Sequence, residues 1–121
     1  MENPKLVEFA QALVQRPSLS CEEDAVAARV EEEMRTLGFD QVMLDHCGNV
    51  IGVIEGAEPG KTLLLDAHMD TVDVTGGVPW QRDPFSGAIE GDVLHGRGSA
   101  DMKGALAAMV HAASGVDRTK I

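Results

Sequence analysis

The strongest fold signal in this chain is the stretch Leu63-Leu64-Leu65-Asp66-Ala67-His68-Met69-Asp70-Thr71-Val72. The run from Lys61 to Ala67 is almost continuously apolar, which predicts a strand that is covered on both faces. A His-x-Asp follows it directly. Open α/β sheets build their sites at the carboxyl ends of such strands. The stretch therefore predicts a buried strand with a polar site at its end.

Helices and hairpins are predicted on both sides of this strand. Asn3-Pro4 and an apolar helical period predict a first helix that ends before Pro17. Ser20 and Glu23 match a capping box for a second helix, which ends at Gly38. We expect the buried face of the second helix to be Ala25, Ala28, Val30, Met34 and Leu37. Further strands are predicted at 41–44 and 50–54, a hairpin at 89–94, and a helix at 102–114. This order predicts one α/β domain, a mixed sheet flanked by helices.

The composition limits the classes of partner and location. The chain has 121 residues, of which 44% are hydrophobic, and a net charge of -10. That charge repels phosphate backbones and anionic lipid, so we expect neither nucleic acid nor membrane as a partner. No apolar run approaches the ~20 residues that span a membrane, and no signal peptide is visible. Cys21 and Cys47 are isolated and are expected to be reduced thiols, which favours a cytoplasmic location.

A second motif, Gly96-Arg97-Gly98-Ser99-Ala100-Asp101-Met102-Lys103-Gly104, places Asp101 where a Gly-rich turn meets a helix. The positive end of the helix dipole favours a carboxylate there. Imidazole and carboxylate are donors that zinc accepts. We therefore predict that His68 and Asp101 are metal ligands. Asp70 is predicted as the catalytic-site carboxylate that accepts the other imidazole N–H and fixes the tautomer of His68.

Simpler interpretations of the same residues remain open at this point. Asp101 alone is typical of a helix N-cap, His68 of a hydrogen-bonded residue at a strand end, and Asp70 of a turn. A dinucleotide-binding turn is disfavoured, because a carboxylate at Asp101 would repel a pyrophosphate, and no cofactor-binding residues are predicted. We expect three histidines to be surface or turn residues rather than ligands: His46, His95 and His111. We expect the run Glu31-Glu32-Glu33 to be a solvated helix face rather than a site.

Together, these motifs resemble the co-catalytic zinc peptidase and deacylase family. That family includes acetylornithine deacetylase, succinyl-diaminopimelate desuccinylase, glutamate carboxypeptidase and aminoacylase. Pro17-Ser18-Leu19-Ser20-Cys21 is also similar to a branch of selenium-metabolism hydrolases. The family motifs, in the family's order, are Arg16-Pro17-Ser18, Leu37-Gly38-Phe39, Gly48-Asn49-Val50, His68-Met69-Asp70-Thr71-Val72, Trp80 with Asp83-Pro84-Phe85, and the segment from Gly96 to Gly104.

The resemblance implies a zinc-dependent exopeptidase-like fold and a metal-dependent amide hydrolase. His68 would bind one metal, Asp101 would bridge two, Asp70 would orient His68, and the Asp101-Met102 peptide bond would be cis. The complete site would hold two zinc ions, with cobalt or manganese as alternatives. The implied substrate is a small molecule, an N-acyl amino acid or a small peptide. The implied full-length form is a homodimer.

The chain also departs from the family pattern. The family's general-base Glu, its neighbouring Glu ligand, a further acidic ligand and a final His follow the bridging Asp at positions beyond Ile121. We therefore expect residues 1–121 to be the N-terminal part of the catalytic domain, without the dimerisation domain and the C-terminal catalytic part, and inactive alone. Two alternatives are a non-catalytic α/β module that binds a metal or a partner, and a chain that assembles with a second chain carrying the missing ligands.

Overall fold

A computed structural model describes residues 3–77 and 79–121. It confirms the α/β class, with helices and small sheets in one chain. Within the described residues, no helix is both long enough and apolar enough to cross a membrane. The elements are α1 (Pro4–Val14), α2 (Asp24–Thr36), β1 (Gln41–Leu44), β2 (Val50–Val53), β3 (Ile89–Glu90), β4 (Val93–Leu94), a kinked turn (Ser99–Lys103), α3 (Gly104–Ser114) and a 3-10 turn (Arg118–Lys120).

Helix α1 begins and ends as its sequence predicts. The Asn3 side chain accepts a hydrogen bond from the backbone N–H of Leu6 at 3.2 Å, and Pro4 occupies the first helical position. An N-cap acceptor satisfies a donor that has no partner within the helix. One face of α1 packs with α2 and α3 around the main core. That core consists of Phe9, Ala10, Leu13, Val26, Val30, Leu106, Ala107 and Val110.

Helix α2 differs from its prediction at its start and on its buried face. Glu23 is the N-cap residue and makes no side-chain cap, so the predicted capping box is wrong. The Glu23 carboxylate accepts instead from the backbone N–H of Cys21. Ala25 and Ala28 are exposed, because the helix turns Val26, Ala27, Val30 and Glu33 inward. Gly38, at φ +78°, follows the helix as predicted.

The described strands form two antiparallel hairpins. β1 pairs with β2 from Gln41 opposite Val53 to Leu44 opposite Val50. The Asp45 carboxylate closes their turn by accepting from the backbone N–H groups of Cys47 and Asn49. β3 and β4 pair over two residues each, as the hairpin prediction requires.

The predicted strand at Lys61–Ala67 is not present, and this prediction was wrong. The segment is extended chain without regular secondary structure, and the side chains of Leu63 and Leu64 are 82% and 83% exposed. A strand is stabilised by backbone hydrogen bonds to a neighbouring strand. Among residues 3–77 and 79–121, no strand pairs with this segment. Apolar composition alone therefore does not produce a strand here.

Candidate metal centre

The segment that carries His68 is held by the loop that follows α1. The Ser18 hydroxyl donates to the backbone carbonyl of Met69 at 2.8 Å. In return, the backbone N–H of Thr71 donates to the carbonyl of Ser18 at 2.7 Å. Ser18 and Thr71 are both buried. These paired bonds fix the backbone on both sides of Asp70, although the segment belongs to neither hairpin.

The segment that carries Asp101 is a tight turn that packs against the first segment. Gly98 has φ +80°, and a Cβ atom there would lie 2.7 Å from Cγ2 of Thr71, so the close approach requires glycine. The Lys103 side chain is fully buried, and its ammonium donates to the Arg16 carbonyl at 2.6 Å. Burial lowers the pKa of Lys103 to about 8. The Asp101-Met102 peptide bond is cis, which confirms the expectation from the family resemblance.

These two segments bring His68, Asp70 and Asp101 together. Nε2 of His68 lies 3.0 Å from Oδ1 of Asp101. Nδ1 of His68 lies 3.0 Å from the backbone carbonyl of Asp70 and 3.1 Å from its Oδ1. Asp101 does not cap α3, whose N-cap position is Lys103, and the Asp101 side chain is 88% exposed. The imidazole is therefore flanked by one carboxylate at each ring nitrogen.

The carboxylates shift the ionisation of this cluster. The Asp101 carboxylate, which accepts a hydrogen bond from the ring, raises the pKa of His68 above its ordinary value, and the Asp70 carbonyl adds to the rise. The Ser20 hydroxyl donates to the Asp70 carboxylate and lowers the pKa of Asp70, and the positive charge of His68 lowers it further. The cluster thus favours an ionised carboxylate at Asp70 and a cation between the two acidic side chains.

The donor chemistry fits one part of a zinc site. Because two acceptors face Nδ1 of His68, that nitrogen carries a proton, and the lone pair for a metal belongs to Nε2. Without a second proton on the ring, the Nε2 lone pair and the Asp101 oxygen would face each other at 3.0 Å and repel. A proton on Nε2 or a shared metal cation removes that repulsion. His68 and Asp101 would hold a zinc ion through these two atoms.

At this site the described residues bring two such donors together. Across residues 3–77 and 79–121, no group of three His, Cys, Asp or Glu side chains is placed to hold a metal ion. Zinc in proteins takes three or four protein ligands. Cys21 and Cys47 are exposed free thiols, and His46 is exposed in the β1–β2 turn.

The prediction for His111 and Glu33 was wrong, because both side chains are buried. Nε2 of His111 lies 2.8 Å from Oε1 of Glu33, and the Arg29 guanidinium donates to Oε2 of Glu33 at 2.7 Å. The three side chains form a polar network between α2 and α3. A buried carboxylate is tolerated when charged or hydrogen-bonding partners satisfy it. The spacing of Glu33 with Val26 and Val30 on one helical face was the signal that could have shown its burial.

Residues 64–121 match the model of peptidase family M20/M25/M40. The matched segment contains His68, Asp70 and Asp101, and so covers the whole of the cluster described above. This match supports a relationship to the M20 family but does not distinguish among its subfamilies. Peptidases of the M20 family are generally metal-dependent, commonly with zinc.

Two curated relatives extend the similarity beyond that segment. YgeY of Escherichia coli strain K12, described as an uncharacterized protein, is 40% identical over 107 residues, which is 88% of this chain. YgeY of Escherichia coli O157:H7 gives the same values. The chain spans 26% of the length of each of these relatives. The similarity therefore includes most of the chain but only about a quarter of each relative.

Proposed function

We propose that this chain is the N-terminal part of the catalytic domain of a metal-dependent hydrolase of the M20 type. The observation that carries the proposal is the 3.0 Å approach of Nε2 of His68 to Oδ1 of Asp101 within the segment that matches the family. The two residues come from separate turns and meet on the surface with Asp70 behind the ring. This arrangement leaves one open side for further ligands and substrate.

Each of the three residues has a proposed role. His68 presents a lone pair at Nε2, and Asp101 presents an exposed carboxylate that would bridge two metal ions. Asp70 accepts a hydrogen bond from Nδ1–H of His68 and keeps the ring in the ligand tautomer. When bound, zinc acts as a Lewis acid toward the substrate carbonyl and lowers the pKa of water. Because the Asp101 side chain is exposed, it would be accessible to both ions.

The proposed substrates are N-acyl amino acids or small peptides, cleaved at the amide bond. We propose two zinc ions in the complete site, with cobalt or manganese as alternatives that the same donors accept. The net charge of -10 supports a small-molecule substrate rather than nucleic acid or a membrane surface. The same proposal includes a homodimeric whole protein, a cytoplasmic location and membership in the selenium-metabolism hydrolase branch.

The number of donors favours one alternative function. Two protein donors are fewer than a zinc site uses, so further ligands would have to come from other residues of a longer protein or from a second chain. We therefore expect residues 1–121 to bind zinc weakly and to show no hydrolase turnover alone. A non-catalytic α/β module that binds a metal or a partner is the second candidate.

Zinc titration of the purified chain tests the proposal. We expect a single site by calorimetry whose binding is abolished in His68→Ala and in Asp101→Ala. The matched controls are His46→Ala and Asp92→Ala, which remove an exposed imidazole and an exposed carboxylate from turns and should leave binding unchanged. Zinc binding that survives His68→Ala would contradict the proposal and favour the non-catalytic module.

A further inference from the structure

We propose that Ser20 is a positioning residue of the metal centre, whose hydroxyl holds the Asp70 carboxylate against His68. This inference rests on the proposed function, because Ser20 would act on the metal only through Asp70 and His68. Neither the match at residues 64–121 nor the similarity to YgeY assigns a role to this serine.

Successive polar contacts connect Ser20 to Asp101 through the side chains of Asp70 and His68. The Ser20 hydroxyl donates to Oδ2 of Asp70 at 2.5 Å. The other oxygen of that carboxylate, Oδ1, lies 3.1 Å from Nδ1 of His68, whose Nε2 faces Asp101. Each Asp70 oxygen thus has its own partner. With both oxygens engaged, the carboxylate is fixed against rotation about its Cβ–Cγ bond, and so is the imidazole that it holds.

The backbone around Ser20 is fixed without help from its hydroxyl. Two residues earlier, Ser18 exchanges hydrogen bonds with the backbone of Met69 and Thr71. Four residues earlier, the Arg16 carbonyl accepts from the buried ammonium of Lys103. The loop between α1 and α2 is therefore bonded to the His68 segment on one side and to the Asp101 segment on the other. These bonds hold the loop beside Asp70 through groups other than the Ser20 hydroxyl.

Ser20 itself is exposed, so removal of its hydroxyl should change the site without unfolding the chain. Loss of the hydrogen bond to the Asp70 carboxylate should therefore lower the zinc affinity of His68, the residue that Asp70 contacts. Loss of an outer partner of a metal ligand typically weakens metal binding by about 10- to 100-fold. Because Ser20 lies one contact further out than Asp70, we expect the lower end of that range.

The test compares zinc affinity, measured by competition with a chromophoric chelator, across a set of variants. We expect about tenfold weaker binding for Ser20→Ala, and near wild-type binding for Ser20→Thr, which restores a hydroxyl. The control Ser114→Ala removes a serine hydroxyl that bonds a backbone carbonyl at the far end of α3 and should leave affinity unchanged. In the Asp70→Ala background, Ser20→Ala should have no further effect, because the two residues act as one unit.

A second readout does not depend on zinc. In the metal-free protein, the Nδ1–H proton of His68 should give a protected NMR signal in wild type and Ser20→Thr, and exchange faster with solvent in Ser20→Ala. The inference is overturned if Ser20→Ala binds zinc like wild type, if Ser20→Thr is as weak as Ser20→Ala, or if the effects of Ser20→Ala and Asp70→Ala add. If His68→Ala binds zinc as tightly as the wild type does, the proposed function is overturned instead.

Discussion

Replacing Gly98 by alanine would place a methyl group between the two segments that carry His68 and Asp101. The new Cβ would lie 2.7 Å from Cγ2 of Thr71 and 3.3 Å from Cδ of Lys103. Thr71 is buried and its branched side chain has little rotamer freedom. The methyl group would therefore move one segment away from the other instead of displacing a flexible side chain.

Two separate costs add at Gly98. Alanine in the left-handed region, which the φ of +80° requires, costs about 1–2 kcal/mol. Overpacking of a well-packed site costs about 1–3 kcal/mol more. We therefore expect Gly98→Ala to lower the free energy of unfolding by about 2–5 kcal/mol, the sum of those two terms.

Gly38 provides the matched control for the second cost. Its φ of +78° is almost the same, but a Cβ atom there would meet nothing within 4 Å. Gly38→Ala should therefore lose only the backbone term, about 1–2 kcal/mol. The difference between the variants isolates the contact between the two segments.

Urea denaturation followed by circular dichroism would measure both variants, and zinc titration would show whether the segments have moved. Gly98→Ala should bind zinc more weakly than wild type, whereas Gly38→Ala should bind it equally well. Equal destabilisation by the two substitutions, with unchanged zinc affinity in both, would refute the inference that the segments pack as closely as described.

Three further predictions concern the interior of the chain. Burial lowers the pKa of Lys103 from 10.5 to about 8; between those pH values the unfolded state binds more protons than the folded state, so the free energy of unfolding should rise with pH, by roughly 3 kcal/mol in all. Lys103→Met should abolish that rise, and an unchanged pH profile in this variant would contradict the assignment. Glu33→Ala leaves the buried His111 side chain without its acceptor and should cost about 1–3 kcal/mol, whereas Glu32→Ala, on the exposed face, should be nearly neutral in urea unfolding. Phe9→Ala should cost about 3–5 kcal/mol from core burial and the cavity left behind; a change below 1 kcal/mol in the same assay would show that α1 is not packed as described.

Elements with local causes were predictable from the sequence. The cap at Asn3, the end of α2 at Gly38 and the 89–94 hairpin depend on residues within a few positions of each other. Hydrogen bonds and backbone preferences that involve only neighbouring residues can be predicted from a short stretch of sequence. The motifs around His68 and Asp101 indicate a metal-site chemistry, which stays a prediction.

Several other contacts between distant residues were decided by the tertiary structure alone. The sequence predicts Ser20 as a helix cap, but its hydroxyl bonds the carboxylate of Asp70, 50 positions away. The sequence predicts Glu33 on a solvated face, but its carboxylate contacts the ring of His111, 78 positions away. Leu63 to Leu65 have the composition of a buried strand but lie exposed, because a strand depends on a partner that its own residues do not specify. Local preference sets which elements this chain forms, and long-range packing decides which polar groups meet and which apolar segments are covered.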